Sequence, residues 1–345
     1  MTGNYVGDLM DELARDPTRT MLYWQGEPVS ARALSPRLAT AANGLRSRLA
    51  GCSEQPVVGL LTITNTPGTL LLRYAANLVG ATAVHLQTAN AVDPLDRIDI
   101  DALRNILNTT RPALLAVDAD HVAAARTLCG KLAEPPGLVG FGALGDDILD
   151  LSVGPGTRPA AEDVDPGLPA TVTYTSGTTG VPKGVAVSFG VRRMALRGLP
   201  AHYGTVYLST LPLSHTSGAV TDMALAAGGS VVLHPGFDAG AVLAAVARHA
   251  VTRMTVSPPQ LYALENALLA HPDVRQAAVF GVTDENRVEY VHAVVVPRSR
   301  ADVPPGELIR HVSQALSPNH APVSLRFRTE LPLNEAGKPD KKVLR

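Results

Sequence analysis

The sequence predicts an α/β fold in two parts: a large N-terminal α/β domain with mostly parallel sheets over residues 1–264, and a small C-terminal α+β domain over residues 265–345. In the first part, short apolar strands alternate with segments of helical period, which is typical of a parallel sheet covered on both faces. The second part is built around two valine-rich strands instead. With 46% hydrophobic and 18% charged residues, the 345-residue chain can bury a large core.

Hydrophobic spacing places the elements of the first part in order along the chain. Helices are predicted at residues 6–15, 35–49, 69–81, 100–108, 120–132 and 239–250. Strands are predicted at residues 21–24, 57–63, 82–87, 113–117, 170–174, 206–215, 228–234 and 253–257. Residues 134–170 are rich in proline, glycine and aspartate, and this composition predicts a surface connection.

The second part has fewer elements and no alternation of strand and helix. A helix is predicted across residues 258–272, so that it spans the boundary between the two parts, because two prolines open it and apolar residues follow at helical spacing. Two strands at 277–282 and 288–297, a helix at 304–316 and a strand near 323–328 complete it. This order predicts a small α+β unit.

Charge and composition exclude several classes of partner. The formal charge is −1 and no basic block is present, so nucleic acid is not an expected partner. The first sixteen residues lack an apolar core and no stretch reaches 18 apolar residues, which predicts a cytoplasmic protein without a membrane span. Cys52 and Cys129 belong to no Cys/His cluster and are predicted to be buried or inert thiols, with no metal site.

Glycines, hydroxyls and one lysine are concentrated in residues 175–184, TSGTTGVPKG, directly after a predicted strand. Glycines let the backbone approach a ligand, hydroxyls donate to phosphate oxygens, and a lysine supplies a point charge. Such a segment can bind a triphosphate, or it can be a turn rich in Ser, Thr and Gly. A Walker loop is disfavoured by Pro182 and Gly184, so a P-loop phosphotransferase is a weak alternative.

The segment YTSGTTGVPKGV at residues 174–185 resembles the phosphate loop of the adenylate-forming (AMP-binding) enzyme superfamily. Further segments match in the family's order, on the acyl-CoA synthetase or fatty-acid–CoA ligase branch. They lie at residues 77–87, 104–118, 211–218, 271–282 and 331–345. The resemblance therefore spans nearly the whole chain.

The resemblance implies ATP-dependent activation of a fatty or aryl acid to an acyl-adenylate, followed by transfer to a thiol. It implies ATP and Mg²⁺ as cofactors, and coenzyme A or the phosphopantetheine of a carrier protein as acceptor. Lys338 matches the lysine that bridges the carboxylate and the α-phosphate, and His215 matches the histidine between the acyl pocket and the nucleotide. The phosphate loop residues implied to bind nucleotide are Thr175, Ser176, Gly177, Thr178, Thr179, Gly180 and Lys183.

Apart from the resemblance, His215 and the other strand-end histidines have a simpler interpretation. His85, His234 and His271 are expected to be hydrogen-bonded histidines at strand ends, and the same interpretation is open for His215. Lys338 would otherwise be interpreted as a solvated lysine near the end of the sequence.

The sequence departs from the family near Leu264 and Glu265, where two distant family segments are joined directly. The adenine and ribose motifs, the usual glutamate ligand of magnesium and the hinge are not found, so no metal ligand is assigned. Two hypotheses follow: a shortened acid–thiol ligase, or a catalytically silent member that binds nucleotide phosphates, an acyl acid or a protein partner.

Overall fold

The chain divides into two compact units in the computed structural model, Met1–Gly236 and Phe237–Arg345. The predicted boundary after residue 264 stays a prediction. The residues that the structure describes are 3–52, 54–86, 99–175, 183–197, 204–236, 245, 248–255, 265–266, 268–283, 289–298, 304, 307–308, 311, 324–333 and 339–344.

A seven-stranded sheet forms the centre of the first unit, with the strand order β7-β6-β5-β3-β4-β8-β9. Neighbouring strands are parallel except β9, which is antiparallel to β8. This arrangement confirms the predicted α/β fold with mostly parallel strands. The strands are β3 (Val57–Leu61), β4 (Thr82–His85), β5 (Leu114–Val117), β6 (Gly137–Gly140), β7 (Ile148–Asp150), β8 (Pro169–Thr175) and β9 (Lys183–Ser188).

A second sheet of the first unit contains strands from both ends of its sequence. Strand β11 lies between β10 and β1 and is parallel to both, while β2 pairs antiparallel with β1. These strands are β1 (Thr20–Trp24), β2 (Glu27–Ser30), β10 (Val206–Ser209) and β11 (Ser230–Leu233).

Five of the seven α-helices described in the first unit begin at side-chain caps that the sequence supplies. Asn4, Ser30, Thr66, Asp99 and Ser188 each accept a backbone N–H of the first helical turn. The helices are α1 (Tyr5–Arg15), α2 (Ala31–Leu49), α3 (Pro67–Leu78), α4 (Ile100–Thr110), α5 (Val122–Cys129), α6 (Phe189–Leu196) and α7 (Thr216–Ala226), with a 3₁₀ turn at Ala119–His121.

The seven-stranded sheet is covered on both faces, which explains why its central strands are apolar throughout. On one face, Leu103, Ile106 and Leu128 of α4 and α5 pack with Leu115 and Val117 of β5. On the other face, a larger cluster joins side chains of α1, α2 and α3 to strands of both sheets. Burial of this kind contributes about 1.5–3 kcal/mol for each large apolar side chain.

Several sequence expectations differ from the structure among the described residues. The strand predicted at 206–215 ends at Ser209, and His215 precedes a helix instead of ending a strand. The connection predicted at residues 134–170 contains β6 and β7, which extend the parallel sheet although each has only three or four residues. Helix α2 begins at Ala31, before the predicted start, because Ser30 caps it. Cys52 is exposed, so of the two predicted alternatives, a buried or an inert thiol, burial is wrong for Cys52; both Cys52 and Cys129 are free thiols.

The second unit contains a three-stranded sheet with the order β13-β14-β15. Strand β14 pairs antiparallel with β13 and parallel with β15, and Phe280, Val294 and Leu344 share one buried cluster. The predicted small α+β unit is therefore confirmed in its strands. The elements are β12 (Arg253–Met254), β13 (Val274–Thr283), β14 (Glu289–Pro297), β15 (Ser324–Phe327) and the short helix α8 (Lys341–Leu344).

Candidate functional site

The carboxyl ends of β4 and β8 lie side by side in the first unit. Their register pairs His85 with Thr173, so β4 ends where β8 still runs on to Thr175. In open α/β sheets, ligands bind in the crevice outside the carboxyl ends of the strands. The predicted phosphate loop therefore leaves the sheet at an edge that suits a ligand.

The two ends of the phosphate loop are held together by sheet pairing. Thr175 is the last residue of β8 and is the register partner of Lys183, the first residue of β9. Lys183 is exposed, so its side chain lies at the surface of this edge. Of the predicted loop residues, Ser176, Gly177, Thr178, Thr179 and Gly180 lie outside the described residues.

The N-terminus of α7 lies against the same strand. The hydroxyl of Thr173 donates a hydrogen bond to the carbonyl oxygen of Ser214 at 2.5 Å, in a buried position. His215 follows as the N-cap residue of α7 and is half-buried. Because the free N–H groups of a helix N-terminus favour anions, β8 and α7 bring two anion-binding features together.

His85 lies at the end of β4 with only 3% of its surface exposed. Burial lowers the pKa of His85 well below 6.5, and the charges of Arg73, Arg192 and His215 lower it further. Its Nε2 atom is buried and has no hydrogen-bond partner in the described part of the chain, so at this atom the predicted hydrogen bond is not found. The imidazole is therefore neutral at physiological pH.

The other two strand-end histidines agree better with their sequence interpretation. His234 places Nδ1 2.7 Å from the carbonyl oxygen of Gly236, and Nδ1 of His271 accepts the backbone N–H of Asp273 at 3.3 Å. Both contacts are local, as expected for histidines that end a strand or a turn.

A buried ionic cluster lies behind these strand ends, and the sequence analysis did not find it. Asp222 of α7 bonds Arg73 of α3 and Arg192 of α6, and Nη1 of Arg192 lies 2.9 Å from its Oδ2. The hydroxyl of Tyr74 donates to the same carboxylate at 2.6 Å. Two guanidinium groups for one carboxylate leave an excess positive charge in the interior, which favours anions nearby.

A sequence signal for this cluster exists in two helices. Arg73 interrupts the apolar run TLLLRYAANL, and Asp222 is the one acidic residue in TSGAVTDMALA. Charged side chains are almost never fully buried unless they are paired. Two opposite charges in apolar helices therefore indicate each other as partners.

Lys338 lies outside the described residues, but the chain on either side of it is described. Leu333 and Pro339 form an isolated antiparallel bridge, which brings the two ends of residues 334–338 together. In the same unit, Nζ of Lys341 lies 2.6 Å from Oε2 of Glu265, which also accepts the backbone N–H of Val279 at 3.1 Å.

Two further properties of the described residues bear on cofactors and membranes. Within them, no group of three or more His, Cys, Asp or Glu side chains has an arrangement that suits a metal ion. None of the helices in those parts of the chain is long and apolar enough to cross a membrane.

Comparison with known proteins gives a consistent result. The AMP-binding enzyme family matches residues 9–321. The chain is 30% identical over 253 residues to an indoleacetate–CoA ligase of Aromatoleum aromaticum, covering 71% of this chain and 48% of that protein. It is 32% identical over 275 residues to a feruloyl-CoA synthase of an Amycolatopsis species, covering 76% of this chain and 49% of that protein.

The chain thus spans about half the length of the curated relatives it matches. Among solved structures, the amide bond synthetase McbA from Marinactinospora thermotolerans has a TM-score of 0.61 at 20% identity, with 99% of both chains covered. At this identity the likeness establishes the fold alone, and it agrees with the α/β architecture described above.

Proposed function

Because this chain belongs to the AMP-binding enzyme family, we propose that it activates a carboxylic acid with ATP and transfers the acyl group to the thiol of coenzyme A. In the first step, a carboxylate oxygen attacks the α-phosphate, and pyrophosphate leaves as the acyl-adenylate forms. In the second, the thiolate attacks the acyl carbon and AMP leaves. One observation carries the proposal: the phosphate loop ends, Lys183 and the N-terminus of α7 meet at the carboxyl ends of β4 and β8.

Negative charge accumulates on the phosphates in the first step, so fixed cations and N–H donors are what the protein must supply. The ammonium of Lys183 and the N–H groups at the start of α7 are such groups, and the excess charge of Arg73 and Arg192 adds to their field. His215, at the start of α7, is proposed to orient the reacting carboxylate. Thr175, Ser176, Gly177, Thr178, Thr179 and Gly180 are proposed to hold the β- and γ-phosphates.

Lys338 is proposed to bridge the carboxylate and the α-phosphate, as the family resemblance implies. Magnesium would neutralise phosphate charge when bound to the nucleotide. The described residues supply no cluster of ligands for it, so we assign no residue to magnesium and derive no step through it.

An aryl acid is the substrate class that the relatives favour. Indoleacetate and feruloyl appear in the names of the two relatives described above, and 4-chlorobenzoate in that of a third, a CoA ligase of a Pseudomonas species that is 43% identical over 105 residues. Each of these acids has an aromatic ring. All three are named as CoA ligases or synthases, which favours coenzyme A over a carrier protein as the acceptor. The cytoplasmic location stays a prediction.

Because the chain spans only about half of its relatives' length, a second function is also favoured, that of a catalytically silent family member. The chain covers only 48–49% of the indoleacetate–CoA ligase and the feruloyl-CoA synthase, and the adenine and ribose motifs are not found in its sequence. A silent member that binds nucleotide phosphates, an acid or a protein partner would need only the phosphate loop and the α7 terminus. Binding of ATP without turnover would distinguish this function from the first.

The test is ATP–pyrophosphate exchange on monodisperse protein with a set of aryl and fatty acids. Lys183→Ala is expected to reduce exchange by roughly 10²- to 10³-fold, as for the loss of other donors that stabilise charge in the transition state. Lys131→Ala is the matched control, since Lys131 is exposed and follows α5, away from the phosphate loop. Absence of exchange from folded protein that still binds ATP would refute the ligase function and leave the silent member.

A further inference from the structure

Asp222 connects three helices through one buried carboxylate. It bonds Arg73 and Tyr74 from α3 through Oδ1, and Arg192 from α6 through Oδ2. The carboxylate is 1% exposed, and the two arginine side chains are nearly as buried. A carboxylate with three donors from two neighbouring helices fixes the rotation and depth of its own helix, α7.

Both arginines continue from Asp222 to the elements that carry the proposed site. Nη2 of Arg192 donates to the hydroxyl of Thr171 at 3.0 Å, and Thr171 lies on β8, the strand that leads into the phosphate loop. Nη1 of Arg73 donates to the carbonyl oxygen of Leu213 at 3.4 Å, two residues before His215. The cluster therefore contacts the strand before the loop and the turn before the histidine.

An ionic cluster in this position is not needed for stability alone. Buried ion pairs are often no more stable than well-packed apolar side chains of similar volume, because desolvation cancels most of the attraction. Unlike apolar contacts, hydrogen bonds fix the direction and the distance between the two groups that they join. Here the fixed distances are those between β8 and the start of α7.

We infer that Asp222 is a positioning residue of the adenylation site, which holds the α7 terminus and His215 at a fixed distance from β8 and its phosphate loop. This inference rests on the proposed function for its effect on turnover. Its geometric part, the position of His215, is independent of turnover and can be measured without it.

The test compares two variants that differ in buried net charge but both lack the bond between the Asp222 carboxylate and Arg192. Asp222→Asn removes the carboxylate and leaves both guanidinium groups. The double variant Asp222→Asn with Arg192→Met restores the original net charge, yet still lacks the links of α7 and β8 to Arg192. Arg126→Gln is the control, because it breaks the exposed pair with Asp147, which lies outside the site.

Two readouts are needed. The first is the imidazole NMR signals of His215 in protein labelled at histidine, assigned with His215→Gln. The second is the division of any loss of ATP–pyrophosphate exchange between kcat and the KM for ATP. We expect the double variant to shift the His215 signals and to lower kcat at least tenfold with KM changed less than threefold, while Arg126→Gln changes neither.

The opposite outcome is clear. If the double variant folds and recovers both the His215 signals and kcat, Asp222 acts only by balancing buried charge and the inference is wrong. If the double variant does not fold, Tyr74→Phe takes its place, because it removes one donor to Asp222 and keeps every charge. Unchanged His215 signals in that variant would equally refute the inference.

Failure of the proposed function would give a different result from failure of the inference about Asp222. Unmodified protein without exchange activity would refute the ligase, while the His215 signals would still report whether Asp222 positions the helix.

Discussion

The hydroxyl of Thr173 and the carbonyl oxygen of Ser214 form a buried hydrogen bond of 2.5 Å between β8 and the start of α7. The two residues are 41 positions apart, so this contact joins parts of the chain that no local structure would bring together. It places the start of α7, in the LPLSHTSG segment, beside β8, the strand that leads into the predicted phosphate loop.

Lys338→Ala is expected to lower adenylation by roughly 10²- to 10³-fold, because the variant lacks a cation at the α-phosphate in the transition state. Binding of ATP should change little, since the phosphate loop is intact. Single-turnover formation of acyl-AMP measures the first quantity, and calorimetry with ATP the second. A Lys338→Ala protein with full adenylation would remove Lys338 from the proposed site.

Gly218→Ala is expected to displace the first turn of α7. A Cβ at this position would overlap the carbonyl oxygen of Leu213 and lie 2.6 Å from Nη1 of Arg73. Overpacking of this kind costs typically about 1–3 kcal/mol, and acyl-AMP formation should fall with the displaced His215. Urea denaturation measures the first effect.

Gly204→Ala is the matched control, because a Cβ there meets no heavy atom within 4 Å. Its free energy of unfolding should stay within about 1 kcal/mol of the parent. Equal losses in the two variants would argue against a steric role for Gly218.

Asp222→Asn is expected to lower the free energy of unfolding by about 3–5 kcal/mol, because it leaves Arg73 and Arg192 buried without their carboxylate. Asp147→Asn breaks the exposed pair with Arg126 and should cost no more than about 1 kcal/mol. Chemical denaturation of both variants at pH 7.5 gives the comparison. Similar losses would mean that the interior cluster is no stronger than a surface pair.

Because His85 is buried, the free energy of unfolding is expected to fall as the pH is lowered. Its pKa in the folded state lies well below 6.5, chiefly because of burial, so the unfolded chain binds a proton that the folded chain does not. Above pH 6.5 neither state is protonated and His85 has no effect. As the pH falls below 6.5, the unfolded state gains protons and stability falls by at most about 1.4 kcal/mol per pH unit.

The measurement is urea denaturation at pH 7.5 and pH 5.5 for the parent and for His85→Gln, which cannot titrate at this position. The parent should lose more stability between the two pH values than the variant. An equal loss in both proteins would show that His85 is protonated in the folded state or exposed to solvent.

The sequence alone was sufficient to predict the parallel strands that lie at the centre of the fold. Apolar runs such as those of β3 and β5 are interpretable because both faces of these strands are buried. Strands β6 and β7 were missed, since three or four residues among glycines and prolines have no periodicity and pair only because β5 offers an edge. Short edge strands depend on tertiary pairing more than on their own composition.

The candidate site was predicted from sequence motifs that resemble a family, and not from hydrophobic periodicity. Lys183 and His215 were selected by family resemblance, and the structure brings their segments to one sheet edge. Arg73, Asp222 and Arg192 match no motif. A single charge in each of two apolar helices is a signal for Arg73 and Asp222, but their separation in sequence hides the pairing. The sequence also could not predict that Nε2 of His85 lacks a hydrogen-bond partner in the described part of the chain, since this depends on which groups folding places around the ring.

The sequence distance between Arg73 and Asp222 has a consequence during synthesis of the protein. Asp222 leaves the ribosome 149 residues after Arg73, which takes roughly 7–30 s at ordinary rates of translation. Throughout that interval a guanidinium group is attached to an apolar helix whose counter-charge does not yet exist. The first unit can therefore complete this ionic cluster only near the end of its own translation, and we expect incomplete nascent chains of this unit to be bound by chaperones in the cell.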